Sequence, residues 1–286
     1  MRYALVTGGS RGLGRAICLK LAQQGYPVII NYKSNSEAAL ETRRLVEEQG
    51  GQAELLPFDV SDREQVEKAL EDWTQRHQED YIAVLVNNAG YGELGPIETT
   101  SLDNAQRQLD VNVVGLVRMT RLVLPHMREQ GRGRIVNVAS VAGRITFGFA
   151  GWYNASKYAV EALSDATRME VRPYGIDVAI IEPGGVYSNW GRIAAEQLRK
   201  ASEKTVYQEK AGRMANVFEM MYGRNPYNLM TSATQAAKHV CKAATTRHPK
   251  TRYAFGVGNA SMRFLHTVLP DRWFDGIITW LFSTFG

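Results

Sequence analysis

"VTGGSRGLGRAI", residues 6–17, decides the fold. A short apolar run, "YALVT" (3–7), leads into the spaced glycines Gly8, Gly12 and Gly14, and a helix-patterned run, "AICLKLAQQ" (16–24), follows. The order reads as strand, tight turn, helix. Glycine is needed because the turn is sharp and because a pyrophosphate has to approach the amides at the helix N-terminus, where the helix dipole favours its charge. Ser10, Arg11 and Leu13 complete the loop. The letters Gly8-Gly9-Ser10-Arg11-Gly12 also satisfy G-x-S-x-G, the elbow that presents a hydrolase serine. That alternative is set aside: the elbow would sit on the first strand with no earlier loop to supply an oxyanion site, and Gly14 would have no purpose.

Outward from the loop the same alternation continues. Apolar runs "PVIINY" (27–32), "AELLPF" (53–58), "IAVLVNN" (82–88), "RIVNVAS" (134–140), "DVAIIEP" (177–183) and "TRYAFG" (251–256) are separated by helix-length amphipathic stretches such as "EAALETRRLVEEQ" and "REQVEKALEDWTQRH". Seven strands spaced by helices predict right-handed βαβ units and an α/β fold with a seven-stranded parallel sheet buried on both faces. No linker or fixed-period repeat interrupts the first 180 residues, so one domain over 1–286 is expected. The rhythm breaks after Pro183, where a charged, methionine-rich helical insertion is expected at about 187–230; a C-terminal extension follows at about 259–286.

Composition excludes several classes. With 44% hydrophobic and 22% charged residues the 286-residue chain is globular, and its +5 net charge is too dispersed to argue for nucleic acid. Cys18 and Cys241 are far apart, and the five histidines show no ligand spacing, so neither a disulfide framework nor a metal site is expected. With no signal-like leader and no apolar run of spanning length, the reading expects a soluble, cytoplasmic protein.

The second strand ends "IINYKSNS" (29–36), without the acidic residue that usually accepts from the ribose 2′-hydroxyl of NAD. Neutral Asn31, with the cations Lys33 and Arg11, suits a 2′-phosphate, and NADP(H) is expected over NAD(H).

A second stretch carries chemistry. "YNASK" (153–157) puts Tyr153 and Lys157 one helical turn apart on one face. An ammonium near a phenol lowers a pKa that is ordinarily about 10. Ser140 closes the strand "RIVNVAS" at the carboxyl edge of the sheet, where such folds bind ligands, and "NNAG" (87–90) follows the fourth strand at the same edge. Asn112, in "DVNVVG", lies on a helical stretch where a buried amide holds a water or fixes the backbone.

Taken together, "TGGSRGLG", Asp59 with Val60, "NNAG", Asn112, Ser140, "YNASK" and Pro183-Gly184 fall in order over residues 3–188, and the chain resembles the short-chain dehydrogenase/reductase family. The resemblance implies a three-layer Rossmann fold and hydride exchange between a nicotinamide cofactor and a carbonyl or alcohol. It implies that Tyr153 is the acid/base, that Lys157 lowers its pKa and binds the nicotinamide ribose, that Ser140 bonds the substrate oxygen and that Asn112 supports a water relay. It further implies that Asp59 and Val60 border the adenine, that Asn88, Ala89 and Gly90 border the adenosine ribose, and that Pro183, Gly184, Val186 and Ser188 line the nicotinamide side. Ala139 and Ser188 depart from a second serine and a threonine frequent in relatives. A non-catalytic dinucleotide sensor or scaffold is the alternative from another class, disfavoured because it would not require Asn112, Ser140, Tyr153 and Lys157 together.

Specificity is expected in the insertion, at Tyr187, Trp190, Ile193, Met214, Val217, Phe218, Met220, Met221, Tyr222 and Met230. Its length, and the aromatic tail "FLHTVLPDRWFDGIITWLFSTFG", resemble the retinol and 17β-hydroxysteroid dehydrogenase-like branch, which implies a lipophilic ketone, aldehyde or alcohol. Packing on the body is favoured for the tail over peripheral contact with a membrane surface. Relatives form dimers or tetramers through the helices here expected at 103–130 and 152–172, which implies a homo-oligomer.

Overall fold

Seven parallel strands form the centre of the molecule: β1 (Arg2–Val6), β2 (Val28–Tyr32), β3 (Ala53–Pro57), β4 (Tyr81–Asn87), β5 (Gly133–Val138), β6 (Ile176–Pro183) and β7 (Arg252–Phe255). Each overlaps an expected run, and β1, β4, β5 and β6 begin one residue before it. The computed structural model describes residues 1–224 and 230–284; residues 225–229 of the expected insertion and 285–286 of the expected extension lie outside the described residues. The sheet order is β3-β2-β1-β4-β5-β6-β7. The winding direction reverses between β1 and β4, and ligands of such folds bind in the crevice beyond the carboxyl ends at that switch point.

The strands are apolar on both sides because both faces are covered. Ala4 and Val6 point into a layer with Ile17 and Leu21 of α1 (Gly12–Ala22) and Val240 and Ala244 of α9 (Ala233–Thr245). Tyr3 and Leu5 point the other way, onto Val66 and Trp73 of α3 (Arg63–Arg76) and Met119, Val123 and Met127 of α5 (Leu116–Glu129). A one-residue slip of register would exchange these two layers; the register pairs Leu5 with Ile29 and with Leu85.

Helix starts follow capping chemistry. Asn35 accepts from the Ala38 amide to open α2 (Ser36–Glu48), Asp62 accepts from Gln65 to open α3, and Ser101 accepts from Asn104 to open α4 (Leu102–Leu109). The expected helix 103–130 is not continuous: a π-helical turn, Asp110–Gly115, separates α4 from α5. The widening coincides with the pinning of Asn112, described below, and with the close approach of Gly115 to Val60, whose carbonyl would lie 3.0 Å from a Cβ there. The active-site helix α6 (Gly151–Val171) ends in the turn Arg172–Tyr174, and Gly175 reverses the chain at φ 71°.

The insertion forms α7 (Trp190–Ser202) and α8 (Gln208–Arg224), which share the core Ala194, Ala195, Leu198, Met214 and Phe218. The tail forms α10 (Asn259–Val268) and α11 (Asp271–Thr284). Phe274 and Ile278 bury against Ile145, and Phe282 stands 6.0 Å from Phe147 and 6.2 Å from Phe218 between ring centroids. The tail thus packs on the body and on the insertion at once. No described helix is long and apolar enough to cross a membrane.

Candidate active site

The glycine loop has the shape a pyrophosphate requires. Gly8 and Gly12 take left-handed φ of 63° and 56°, which glycine adopts without penalty. At Gly14 a Cβ would lie 2.1 Å from the Gly8 carbonyl oxygen, whereas a Cβ at Gly12 would meet nothing within 4 Å. The loop is therefore closed inward and open outward. Helix α1 begins with no side-chain cap and no acidic residue in its first turn, so its amides face the loop uncontested by a carboxylate. Ser10 is buried, while Arg11 and Leu13 stand at the mouth. These residues fit a dinucleotide phosphate.

Two asparagines hold this loop from below. The Gly8 amide donates to Asn31 Oδ1 at 3.1 Å, and Asn31 Nδ2 donates to the carbonyls of Leu56 and Phe58. Asn31 is 2% exposed; its side chain braces the loop and does not reach a ribose. Asn88 Nδ2 donates to the Thr7 carbonyl at 2.9 Å, and Thr7 Oγ1 accepts from the amides of Asn88 and Ala89. Thr7, the first residue of "TGGSRGLG", ties the two ligand-side loops together.

At the adenine end, Lys33 pairs with Asp59 at 2.5 Å, and Asp59 also accepts from the amide and hydroxyl of Ser61. Burial raises the Asp59 pKa, but the bonds from Lys33 and Ser61 outweigh it and the net shift is downward. Lys33 remains exposed beyond the end of β2. Val60 is buried beside Gly115.

The expected catalytic residues converge. Lys157, 7% exposed, donates from Nζ to the Val138 carbonyl at 2.9 Å, two residues before Ser140, and its Nζ lies 6.0 Å from the Tyr153 ring centroid. Ser140 Oγ accepts from the Ala142 amide, and Ser140 is the side chain that opposes the rise in the Tyr153 pKa. Asn112 Nδ2 donates to the Tyr91 carbonyl at 2.8 Å and to Ser156 Oγ at 3.0 Å, while its Oδ1 accepts from the Tyr91 amide. Both amide protons are thus engaged, and Asn112 fixes the backbone that follows Gly90. A Cβ on Gly90 would lie 3.0 Å from Asn112 Oδ1 and 3.7 Å from Lys157 Nζ.

Burial raises the Tyr153 pKa, and the hydrogen bond with Ser140 is the opposing influence. The Lys157 ammonium is directed to the Val138 carbonyl, and burial lowers the Lys157 pKa to about 8, with Glu161 opposing. The phenol keeps its proton at neutral pH.

The nicotinamide side is built by a return of the chain. Gly184 donates its amide to Phe255, Val186 pairs in parallel with Thr231, and Ser188 Oγ donates to the Val186 carbonyl. Beyond it stands an aromatic wall: Trp190 lies 5.7 Å from Tyr153, 6.0 Å from Phe218 and 5.6 Å from Tyr222 between ring centroids. The candidate specificity residues divide: Met214, Val217, Phe218 and Met230 are buried, whereas Tyr187, Ile193 and Met220 are exposed. Asn154, inside "YNASK", donates to the carbonyls of Ala142 and Ile145, both at 2.8 Å, and so sets the turn after Ser140 against α6. Its place between the two motif residues was the available signal.

The family model of short chain dehydrogenases matches residues 2–199. The NADPH-dependent 3-dehydrocapnine reductase of Ornithobacterium rhinotracheale is 30% identical over 282 residues, covering 97% of this chain and 96% of that protein. Retinol dehydrogenase 5 of Mus musculus is 31% identical over 289 residues, covering 98% and 88%. Among solved structures, a short-chain dehydrogenase from Streptomyces avermitilis superposes with a TM-score of 0.78 at 30% identity, covering 99% of this chain and 97% of that one.

Proposed function

We propose, from the premise that this chain belongs to the short-chain dehydrogenase/reductase family and is an NAD(P)-dependent oxidoreductase of carbonyls and alcohols, that it uses NADP(H) to interconvert a lipophilic ketone or aldehyde and its alcohol. The observation that carries the reading is the convergence of Ser140, Tyr153 and Lys157 at the carboxyl edge of the sheet, with the Lys157 ammonium 6.0 Å from the Tyr153 ring centroid and bonded to the Val138 carbonyl. When bound, the dinucleotide supplies hydride to the carbonyl carbon. Tyr153 Oη gives its proton to the carbonyl oxygen, and the Ser140 hydroxyl steadies both that oxygen and the phenolate left behind. Lys157 holds the nicotinamide ribose, Asp59 and Val60 the adenine, and Asn88, Ala89 and Gly90 the neighbouring ribose. Gly8 to Gly14 take the pyrophosphate, and Pro183, Gly184, Val186 and Ser188 take the carboxamide side.

The absence of an acid at the end of β2, with Arg11 and Lys33 exposed there, supports NADP(H). So does the name of the NADPH-dependent relative. The wall of Trp190, Phe218 and Tyr222 supports an apolar substrate, as does likeness to a protein named for retinol, an apolar alcohol. Exposed Val114, Tyr158, Leu163 and Met169 on the π-helical turn and α6 support a homo-oligomer.

The test is dinucleotide oxidation across compact and bulky apolar ketones with NADPH and with NADH. Turnover with NADPH preferred, and a preference reduced about 10-fold in Lys33→Ala, is the expected result. Equal use of NADH contradicts the NADP(H) reading. Tight dinucleotide binding without turnover of any carbonyl favours a sensor instead.

A further inference from the structure

Beneath the site lies a buried ionic junction that hydride chemistry does not use. Glu182, 0% exposed, is the penultimate residue of β6, directly before Pro183-Gly184. Its Oε1 lies 3.1 Å from Arg144 Nε and 3.1 Å from Arg252 Nε, and its Oε2 lies 2.6 Å from Arg263 Nη1. Glu161, 4% exposed and one turn along α6 from Lys157, shares Arg252 at 3.1 Å, and Arg252 continues to Asp165 at 2.5 Å. Three guanidinium groups face three carboxylates.

Each arginine comes from a different element. Arg144 follows the turn that opens at Ser140, Arg252 lies on β7 and Arg263 on α10. The Ser140 turn is pressed onto α6 at the level of the lysine, since a Cβ on Gly143 would lie 2.8 Å from the Lys157 carbonyl oxygen and 3.1 Å from Glu161 Cγ. Helix α10 grips Glu182 twice: Asn259 Nδ2 donates to its backbone carbonyl at 2.8 Å, and Arg263, one turn later, meets its carboxylate. Buried ion pairs are a weak source of stability compared with apolar packing of the same volume, and fixing one arrangement is the use that remains.

We propose that Arg263 and Glu182 are positioning residues for catalysis: through them the C-terminal helix α10 holds the Ser140 turn, the Lys157 turn and the Pro183-Gly184 turn in one register. The extension is then part of the catalytic scaffold as well as a cover over the pocket. The inference rests on the catalytic reading of Ser140, Tyr153 and Lys157 given above.

Full-length Arg263→Met, Arg263→Lys and Phe282→Ala are compared with the wild type. Arg263→Met lowers kcat about 10- to 100-fold on a compact and on a bulky apolar ketone alike, with KM moved less than about threefold, and Arg263→Lys recovers most of the loss. It also speeds hydrogen exchange at amides 141–145 and 157–161. Phe282→Ala raises KM for the bulky ketone alone. Should Arg263→Met fail to fold, Asn259→Ala, which releases the Glu182 carbonyl, gives the same fall in kcat. Wild-type kcat and wild-type exchange in a folded Arg263→Met or Asn259→Ala protein overturn the proposal. If the wild type itself reduces no ketone, the catalytic reading falls instead, and exchange at the two segments still decides whether α10 orders them.

Discussion

The two halves of the site are made of different material. On the dinucleotide side, β1, β4 and α1 present backbone: left-handed glycines, amides at a helix start, and Asn88 with buried Asn31 and Thr7 bonded to main chain. On the substrate side, α7, α8 and α11 present large side chains, with Trp190, Phe218, Tyr222 and Phe282 in one aromatic cluster. A backbone cradle tolerates almost no added atom, whereas an aromatic wall tolerates reshaping at the expense of selectivity. Tyr153 stands on the border, beside Ser140 on one side and packed near Trp190 on the other.

The sharpest way to break the comparison is Gly14→Ala. Its Cβ would lie 2.1 Å from the Gly8 oxygen, so the loop must open. Dinucleotide affinity is expected to fall at least about 100-fold and the protein to lose on the order of 2 kcal/mol of stability, read by titration calorimetry and thermal melting. Unchanged affinity would mean that the loop is not the cradle. A smaller, selective effect is expected from Trp190→Ala. KM for bulky apolar ketones rises about 10-fold, equivalent to about 1.4 kcal/mol, while dinucleotide affinity stays the same. Loss of dinucleotide affinity would dissolve the distinction between the halves.

The smallest effect concerns Lys157. Its pKa is lowered from 10.5 to about 8, so it carries its charge below pH 8 in the folded protein. Between about pH 8 and 10.5 the folded state has released a proton that the unfolded state keeps, and this group's contribution to stability rises with pH across that window. Its bonds to a ribose weaken over the same range. Dinucleotide affinity is expected to fall about fivefold from pH 7 to pH 9 in the wild type and to stay flat in Lys157→Met. An equal decline in both proteins would assign the titration elsewhere.

The same contrast explains what the sequence made legible. Seven strands and the glycine loop could be read because a parallel sheet demands continuous apolar runs and a phosphate turn demands glycine, and both demands are local. Tyr153, Lys157, Ser140 and Asn112 could be located because they belong to motifs. What they do to one another was less legible: Lys157 faces Val138, Asn112 braces Tyr91, and Asn31 supports Gly8, each a contact between residues 19 to 23 positions apart. The arginine junction left no local trace, since Arg144, Glu182, Arg252 and Arg263 are unremarkable charges until β6, β7 and α10 meet. The π-helical turn was equally hidden, because one extra residue in a turn leaves the apolar pattern of the flanking helices readable as one.

The most direct measurement is single-turnover reduction by Tyr153→Phe, with dinucleotide affinity determined on the same sample. If the phenol passes its proton to the carbonyl oxygen, the hydride-transfer rate falls by about 100-fold or more while the dinucleotide binds within about twofold of wild type. A hydride-transfer rate near that of the wild type, at intact affinity, would contradict the account.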